Sequence, residues 1–600
     1  MLTQLVRTDG GDWRASSCAR RGAAFSATIL SMMKQTFFFA VLCMSVGMLA
    51  QAPDLGPNVS IFSPSMPTGQ MQAEIDRIYS IEQHSEFGSE RHAFLFLPGE
   101  YHLDVPIGFY TEVAGLGGTP DATDIRGNVH VDAASRNNNA TTTFWRGAEN
   151  FSVTPTGGAM QWAVSQAVPM RRMHIRGDLV LHQKSGWASG GWMSDTLVDG
   201  RVDSGPQQQW VSRNSEWKSW AGSNWNMVFI GVPDPPPGEW PSPVYTKVPR
   251  TPLEVEKPYL EVDAKNRWSI VVPALRRNTA GITWSSSQNV AQRAIPFSKI
   301  YIAHADRDTA ATINRQLAAG KHLLLAPGVY DLAEPLRITK ADTVVLGLGF
   351  ATLRPTAGTP ALITADRDGI VVAGLLIDAG PQQSPVLIQV GPRGSQQSHR
   401  DNPIALGDVF FRVGGAGVGK AIINLEINSR DTIVDHTWIW RADHGQGVGW
   451  DKNLSANGLV VNGDDVTIYG LFVEHHQQFQ VLWNGNRGRT YFYQSEIPYD
   501  PPAQQAYTSA AGTDGWASYK VAENVTEHEA WGLGVYSVFT HPDVFLTRAI
   551  EVPRQPAVRF HDMITVCLDT NGGIRNVIDD AGGSTSCAPH RVTPKLTSFP

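Results

Sequence analysis

The stretch VEHHQQFQVLWNGNRGRTYFYQSEIPYDPP, residues 473–502, decides how this chain is expected to fold. It contains two glutamates, Glu474 and Glu496, 22 residues apart, each in a strand-like context with aromatic residues close by. A parallel β-helix uses roughly 20–25 residues per coil, within the range of solenoid repeats, and strands of neighbouring coils lie about 4.8 Å apart. In such a coil the two carboxyl groups would stack almost directly above each other. In another fold they would be two surface glutamates on unrelated loops.

Stacking of the two carboxyl groups would have a chemical consequence. Like charges that close do not both ionise easily, so one pKa is expected to rise towards the value that a general acid needs. The stretch therefore predicts a carboxyl pair suited to acid catalysis, provided that the rest of the chain forms a β-helix.

Length and composition favour such a fold and exclude some functions. With 600 residues the chain is too long for one ordinary core, which predicts two or more large domains or an elongated one. The 57 glycines and 38 prolines favour short strands and many turns. A net charge of −7 gives no basic footprint, so no nucleic-acid partner is expected. Some of the 18 tryptophans are candidates for stacking on sugar rings, while most are expected to fill the core.

Residues 33–52, MKQTFFFAVLCMSVGMLAQA, have the pattern of a secretory signal peptide. One lysine precedes an apolar run that ends in a small-residue cleavage site near Ala52, and the run is too short for a membrane anchor. Translation is accordingly expected to begin at Met32 or Met33, with residues 1–32 as a wrongly assigned upstream segment. The mature protein is predicted to be secreted or periplasmic, monomeric and free of the membrane.

After removal of this leader, Cys567 and Cys587 are the remaining cysteines. An even pair is suited to one disulfide in an oxidising compartment.

Two segments of the chain resemble each other. Residues 93–117 and 322–349 each follow a short predicted helix, at Gln70–Tyr79 and Thr309–Leu317 respectively, and each ends in Gly-Leu-Gly. The matching pairs are Pro98-Gly99 with Pro327-Gly328, Tyr101 with Tyr330, Leu103 with Leu332, and Pro106 with Pro335. A period near 230 residues is too long for a solenoid repeat, so it indicates two homologous domains.

The predicted fold is all-β, with two tandem right-handed parallel β-helix domains packed side by side. Each domain has a short N-terminal capping helix. The first domain is predicted over residues 53–231 and the second over 296–600, with the tail that contains the two cysteines. A proline-rich connector with linking strands is expected over 232–295.

Several motifs are similar to those of glycoside hydrolase family 55, the exo-β-1,3-glucanases built from two β-helices. They occur in family order from about residue 90 to 540: AMQWAVSQA (159–167), GGWMSD (190–195), QQWVSRN (208–214), FRVGG (411–415), WIWRADH (438–444), VEHH (473–476), QSEIPY (494–499) and AWGLGVYSVF (530–539). The resemblance implies a secreted hydrolase that releases glucose from the end of β-1,3-glucan, with no cofactor and no metal. It places the active site between the two β-helices.

The resemblance also implies the catalytic roles. Glu496 matches the proton donor to the glycosidic oxygen, and Glu474 matches the carboxylate that organises the water side. Gln166 and Ser194 match the first-domain residues that hold the nucleophilic water. The family inverts the anomeric centre, whereas two carboxyl groups about 5 Å apart usually go with retention.

Further residues are substrate-binding candidates, either because aromatic rings stack on sugars and desolvate the acid or because polar groups bind hydroxyls. They are Trp483, Tyr493, Tyr499, Phe479, His475, His476, His444, Asp443 and Gln209. Asp443 and Asp451 are also candidates for catalysis, although aspartates at turns more often accept backbone hydrogen bonds. Asp500 departs from the family motif and is expected to alter a sugar subsite.

Three alternatives remain open at this level. A metal site made of His444, His475 and His476 lacks a recognisable ligand spacing. A polysaccharide lyase acting on uronates needs cationic groups, and the catalytic stretch offers only Arg487 and Arg489. A non-catalytic carbohydrate-binding β-helix predicts that both glutamates are dispensable, since fold alone does not decide function.

Overall fold

The computed structural model describes residues 52–285, 291–510, 512–569, 573–587 and 589–600. The predicted upstream segment and the signal peptide up to residue 51 lie outside the described residues. The described part of the chain contains no helix that is long and apolar enough to cross a membrane.

The first half forms a parallel β-helix with two long sheets. Its facing sheet, so called because it packs against the second half, contains in spatial order Val59–Phe62, His92–Phe96, Thr111–Gly115, Arg146–Glu149, Pro169–Arg171, Trp192–Ser194, Gln209–Arg213, Asn226–Ile230 and Tyr245–Val248. The other sheet contains Gly99–Tyr101, Thr123–His130, Ser152–Pro155, His174–Ile175, Leu197–Asp203, Asp178–Val180 and Ala159–Gln161, with Glu216–Ala221 and Asp104–Pro106 at its sides.

The second half repeats this architecture. Its facing sheet contains Ile300–Ala303, His322–Leu325, Val344–Gly347, Val371–Asp378, Ala405–Val413, Ile433–Arg441, Thr467–Glu474, Gly488–Glu496, Glu527–Ser537, Ala557–Cys567 and the antiparallel Lys595–Phe599, with Val329–Leu332 and Thr352–Pro355 alongside. The other sheet contains Leu336–Ile338, Leu362–Thr364, Ser384–Val390, Ala421–Ile427, Ser455–Val461, Val481–Trp483, Tyr519–Val521 and Ile550–Glu551. A small hairpin joins Thr508–Ala510 to Thr513–Asp514.

The predicted duplication and both predicted helices are present. Helix α1 spans Thr68–Glu82 and helix α2 spans Ala310–Ala318, and each buries its apolar face in a core. Short 3-10 turns cover Pro120–Ala122, Ala134–Arg136, Phe297–Lys299 and Gln504–Ala506.

The equivalent tyrosines make equivalent contacts in the two halves. The Tyr101 hydroxyl donates to the carbonyls of Leu97 and Phe62, at 2.7 and 3.1 Å. The Tyr330 hydroxyl donates to those of Ala326 and Ala303, at 2.8 and 2.7 Å. In both cases one hydrogen bond joins a strand to the strand before the capping helix, so the two predicted domains begin in the same way.

The segment between the halves is more folded than an extended connector. The first facing sheet continues to Val248, past the predicted domain end at residue 231. Antiparallel strands follow, pairing Thr251–Glu254 with Arg276–Thr279 and Tyr259–Val262 with Trp268–Pro273; Gln292–Pro296 pairs with the last of these.

The two facing sheets pack against each other through a mixed apolar and ionic interface. One cluster of buried side chains includes Trp145 and Met170 of the first half together with Trp438 and Phe472 of the second. The ionic part is centred on Arg171, which donates to Asp408 at 2.7 and 2.8 Å and to Asp435 at 2.7 Å. Arg213 donates to Asp435 at 2.9 and 3.0 Å and to Glu256 at 2.7 Å. All five side chains are buried, and the pairs of Arg171 with Asp408 and of both arginines with Asp435 join charges of the two halves.

Candidate active site

A cleft of about 430 Å³ lies between the two β-helices. Its walls come from both halves: Thr141, Thr142, Phe144, Gln166, Trp187, Ser189, Gln208 and Trp225 from the first, and Trp438, Trp440, Asp443, His444, Glu474, His475, Glu496, Tyr499, Leu568 and Arg591 from the second.

The wall from the second β-helix is a ladder of side chains, one from each successive coil. Strand register pairs Trp440 with Glu474, Glu474 with Glu496, and Glu496 with Tyr536. The predicted stacking of the two glutamates is thereby confirmed. Because these residues come from successive coils, which lie about 4.8 Å apart, the cleft runs along the axis of the β-helix.

The wall from the first β-helix is built in the same way. Phe144, Gln166, Ser189, Gln208 and Trp225 each lie just before a strand of the facing sheet, in successive coils. The two walls therefore run side by side, with Phe144 near one end and Trp225 near the other.

Glu474 is buried and held by neutral donors from both halves. The Gln166 amide donates to its Oε1 at 2.7 Å, and the Trp438 indole N–H donates to its Oε2 at 2.8 Å. Burial raises the pKa of Glu474 to about 7, against hydrogen bonds from Trp438, Gln494 and Gln166 that favour the ionised form. Both oxygens are fixed, so this carboxyl group has one orientation.

Glu496 is the carboxyl group more open to the cleft, with 13% of its side chain exposed. The Tyr499 hydroxyl donates to its Oε2, and the Gln494 amide makes a long contact of 3.4 Å with Oε1. Burial, reinforced by the charges of Glu474 and Asp443, raises the pKa of Glu496 well above its ordinary range. Because fewer donors stabilise the ionised form of Glu496 than that of Glu474, protonation of the pair favours Glu496.

Three more of the predicted residues lie beside this pair. The rings of His475 and Tyr499 pack edge to face with 4.4 Å between their centroids, and His475 Nε2 lies 4.0 Å from Glu496 Oε2. Asp443 Oδ1 lies 3.7 Å from the same nitrogen and contacts His444 Nδ1 at 3.1 Å. Burial alone would lower the pKa of His444, but hydrogen bonds to Asp443 and Glu86 raise it to about 10. His444 is thus a cation in the cleft wall.

Two predicted residues of the first half do not line the cleft. Ser194 is buried in the interface, where its hydroxyl accepts hydrogen bonds from Arg171 at 3.0 Å and from the Trp192 indole at 3.1 Å. This placement does not favour the predicted contact with the nucleophilic water. Gln209 is also buried, and its amide donates to the carbonyl of Ser189 at 2.8 Å. Ser189 itself lines the cleft, in the loop just before the GGWMSD motif.

Four predicted residues of the second half pack elsewhere, which corrects their predicted contact with sugar. Trp483 and Tyr493 are fully buried in the core of the second β-helix, and Phe479 packs against Trp516 with 4.9 Å between ring centroids. His476 is also buried, bonded to Ser455 at 2.8 Å. Tyr493 could have been excluded from the sequence, because side chains alternate along a strand and it lies an odd number of positions from Glu496.

Asp500, predicted to alter a sugar subsite, is not part of the cleft lining and pairs with Arg441 instead. It accepts two hydrogen bonds from Arg441, both at 2.9 Å, behind the cleft. Among the described residues no group of three or more His, Cys, Asp or Glu side chains is arranged to hold a metal ion. The alternative of a triple-histidine site is contradicted by His476, which points into the core.

Most of the aromatic lining of the cleft was not predicted from the sequence. Trp438 and Trp440 stack on each other with 4.8 Å between ring centroids. Both lie in the family-like motif WIWRADH, of which only Asp443 and His444 were predicted to bind substrate. Trp187, 44% exposed, stacks on Trp225 at 5.8 Å near the other end of the cleft. No local pattern marked this second pair.

The C-terminal tail adds the rest of the cleft rim, through Leu568 and Arg591. The Cys567–Cys587 disulfide is formed, and Leu568 follows its first cysteine directly.

A family model described as the LAM55 pectate lyase-like domain matches residues 300–496. An exo-beta-1,3-glucanase of Streptomyces sp. (strain SirexAA-E / ActE) is 44% identical over 550 residues, which cover 91% of this chain and 90% of that protein.

Solved structures agree with this similarity. The structure of sacteLam55A from Streptomyces sp. SirexAA-E superposes with a TM-score of 0.89 at 44% identity, covering 91% of this chain and 99% of that one. A variant of sacteLam55A in complex with glucose gives the same TM-score over 92% of this chain and 99% of that one.

Proposed function

The chain belongs to glycoside hydrolase family 55, and on this premise we propose that it is an inverting exo-hydrolase of β-1,3-glucan that releases glucose. Its active site would be the cleft between the two β-helices. The observation that carries the proposal is the stacked pair of buried carboxyl groups, Glu474 and Glu496, in a cleft walled by aromatic rings.

Glu496 acts as the general acid. A departing sugar alkoxide needs a proton, and the raised pKa of Glu496 favours the protonated form that can supply it. As the glycosidic bond breaks, the proton moves from Glu496 to the bridging oxygen, and the positive charge that develops on the sugar ring faces the carboxylate of Glu474. Glu474 thus stabilises the transition state electrostatically.

Water supplies the nucleophile on the side of the first β-helix. Gln166 and Ser189 line the cleft there, and the Gln166 amide is already bonded to Glu474. Both oxygens of Glu474 accept hydrogen bonds from fixed donors, which disfavours its attack on the sugar as a nucleophile. The anomeric carbon is therefore attacked by water, and the configuration inverts, although the two carboxyl groups lie on adjacent coils. The attacking water releases one proton, which over the cycle replaces the proton that Glu496 has given to the leaving group.

The two competing functions find less support in the cleft. Neither Arg487 nor Arg489, the cations considered for a uronate lyase, lines the cleft, and Arg487 donates to Asp465 at 2.7 and 2.8 Å. His444, the cation in the cleft wall, is already paired with Asp443 and Glu86. A stacked pair of carboxyl groups with pKa values raised by burial is typical of catalytic sites and is not required for sugar binding alone.

The site of action is proposed to be outside the cytoplasm. The disulfide between Cys567 and Cys587 supports an oxidising compartment, in agreement with the predicted signal peptide.

The test uses protein beginning at Pro53, laminarin as substrate, and NMR to follow the anomeric form of the first product. We expect α-glucose from the wild type, and loss of turnover in Glu496→Gln. Glu523→Gln, a surface glutamate on the same β-helix that pairs with Lys520, serves as the matched control and should retain activity. β-Glucose as the first product would overturn inversion, and full activity in Glu496→Gln would overturn the acid.

A further inference from the structure

Three buried polar atoms close to the catalytic pair have no hydrogen-bond partner in the described part of the chain. They are Gln494 Oε1, Gln209 Oε1 and the hydroxyl oxygen of Tyr536. Each of the three residues is at most 1% exposed. A buried polar atom without a partner costs free energy, so such atoms are usually bonded to ordered water. The three side chains are called the polar cluster below.

Gln494 connects the polar cluster to the two catalytic carboxyl groups. It lies two residues before Glu496 on the same strand, so both side chains are on the same face of the sheet. Its amide nitrogen lies 3.4 Å from Glu496 Oε1, and its amide also hydrogen-bonds to Glu474. An ionised carboxyl group can only accept hydrogen bonds, so the amide nitrogen faces the pair and Oε1 faces away from it.

Tyr536 brings its hydroxyl next to Gln494. Strand register pairs Gln494 with Gly534 on the next coil. The Tyr536 side chain folds back over Gly534, where a Cβ would collide with its hydroxyl. Trp225 packs against the Tyr536 ring with 5.3 Å between ring centroids. The hydroxyl is therefore held about 4.8 Å, one coil spacing, from the position of Gln494.

The first β-helix supplies the third atom from across the interface. A Cβ at Gly190 would lie 3.0 Å from the Phe472 ring and 3.1 Å from the Gln209 side chain, so these two side chains are close neighbours. Phe472 in turn is paired in register with Gln494. The Gln209 amide nitrogen donates to the Ser189 carbonyl, which leaves Oε1 as the atom that faces the polar cluster.

The hydrogen-bonding capacities of these three groups match those of one water molecule. Water donates two hydrogens and accepts at its oxygen, while amide oxygens accept and a phenol hydroxyl donates. We propose that an ordered water molecule donates to Gln494 Oε1 and Gln209 Oε1, accepts from the Tyr536 hydroxyl, and thereby fixes the Gln494 amide nitrogen towards the two carboxyl groups. Gln209 and Tyr536 are then positioning residues that act on the reaction through Gln494. The inference rests on the proposed function, because it concerns the same carboxyl pair.

The orientation of Gln494 matters because a side-chain amide can turn over. With its oxygen towards the pair, Gln494 would withdraw a donor from Glu474 and present the negative end of its dipole. The ionised form of Glu474 would be less stable, so its pKa would rise and the acidic limb of the pH profile would move to higher pH. The other titratable side chains of the cleft and around the pair stay unchanged in the test variants: Asp443, His444, His475, Tyr493, Tyr499 and Arg591.

The test uses two substitutions and their combination. Tyr536→Phe removes the hydroxyl and keeps the ring against Trp225, and Gln494→Met removes the amide. Laminaritriose hydrolysis is measured from pH 4 to 9 for each variant. We expect kcat of Tyr536→Phe to fall about tenfold at unchanged KM, the order expected for a lost hydrogen bond to a charged group, and its acidic limb to rise by about one pH unit. The double variant should have the kcat of Gln494→Met alone, because Tyr536 acts only through Gln494.

A matched control is available in Tyr519→Phe. The Tyr519 hydroxyl is also buried, but it contacts Thr490 at 2.8 Å and His528 at 2.9 Å in the core of the second β-helix. This variant should keep the wild-type kcat and pH profile. Circular dichroism and thermal unfolding identify the variants that fold. A high-resolution crystal structure of the wild type keeps the test decisive if Tyr536→Phe does not fold, because it shows the water molecule directly.

Each outcome has a distinct meaning. A water molecule within hydrogen-bond distance of all three atoms, together with the expected loss of kcat and the upward shift of the acidic limb, supports the proposal. A folded Tyr536→Phe with the wild-type pH profile would overturn it while the proposed function stands. Losses that add in the double variant, or a crystal structure without that water, would overturn it as well. Wild type that does not hydrolyse laminaritriose would refute the proposed function and, with it, the positioning roles.

Discussion

Replacement of Glu474 by glutamine tests the coupling between the two carboxyl groups. Strand register places Glu474 one coil from Glu496, about 4.8 Å away along the ladder. At that distance and an effective dielectric constant of about 20, two unit charges repel by roughly 3.5 kcal/mol. This energy corresponds to a change of about 2.5 in pKa at most. Removal of the Glu474 charge should therefore lower the pKa of Glu496 by up to about 2.5 pH units.

The pH dependence of kcat/KM reports this change. Glu496 must be protonated to act, so its ionisation defines the basic limb, and ionisation of Glu474 defines the acidic limb. In Glu474→Gln the rate should fall at every pH, the acidic limb should disappear, and the basic limb should move to lower pH. Laminaritriose hydrolysis from pH 4 to 9 is the assay, with ¹³C NMR of the labelled Glu496 carboxyl as an independent titration. A basic limb that stays in place or moves to higher pH would refute the reasoning, because removal of the negative charge of Glu474 cannot raise the pKa of Glu496.

Three other perturbations address the cleft rim and the interface. Trp187→Ala should raise KM for laminarin oligosaccharides by about tenfold, the order expected for one lost aromatic stack. It should leave KM for an aryl glucoside unchanged. Equal KM changes for both substrates would contradict the role of Trp187 in binding sugars on the far side of the scissile bond. Arg171→Met removes the arginine partner of the buried Asp408 and leaves Asp435 with Arg213 alone, which should cost about 3–5 kcal/mol of unfolding free energy. Arg354→Met, which breaks the exposed pair of Arg354 with Asp331, should cost less than about 1 kcal/mol. Similar losses for both variants in urea titrations would disprove the difference. Replacement of Cys567 and Cys587 by serine should lower the free energy of unfolding by about 3 kcal/mol, given a separation of 20 residues. It should also raise KM, because the tail supplies part of the cleft rim. Unchanged stability and unchanged KM would speak against the tail as part of the site.

The fold was predictable because its signals were repeated along the chain. The 22-residue spacing of Glu474 and Glu496 equals one coil, and the paired Tyr101 and Tyr330 mark the same structural position twice. Solenoids make such inference possible, since neighbouring coils contact each other and local spacing becomes spatial register.

The site was predictable only in part, because a cleft between two solenoids depends on contacts that are distant in sequence. Glu474 and Gln166 are joined by a hydrogen bond across 308 positions, and only the family resemblance brought them together in the sequence analysis. Aromatic residues near Glu496 in sequence were poor candidates, because half of the side chains in a strand point into the coil. Trp187 and Trp225 reach the cleft from separate coils, so no single stretch could indicate them.

The interlocked facing sheets limit how the length of this chain can vary in evolution. A solitary solenoid tolerates the gain or loss of a whole coil, because each repeat contacts only its neighbours. Here Arg171 and Arg213 meet Asp435 across the interface, and Gln166 meets Glu474. A coil inserted into one β-helix would displace every later pair by about 4.8 Å relative to the other. The number of coils in the two halves must therefore be inherited together, and insertions and deletions among relatives should be confined to the loops between strands.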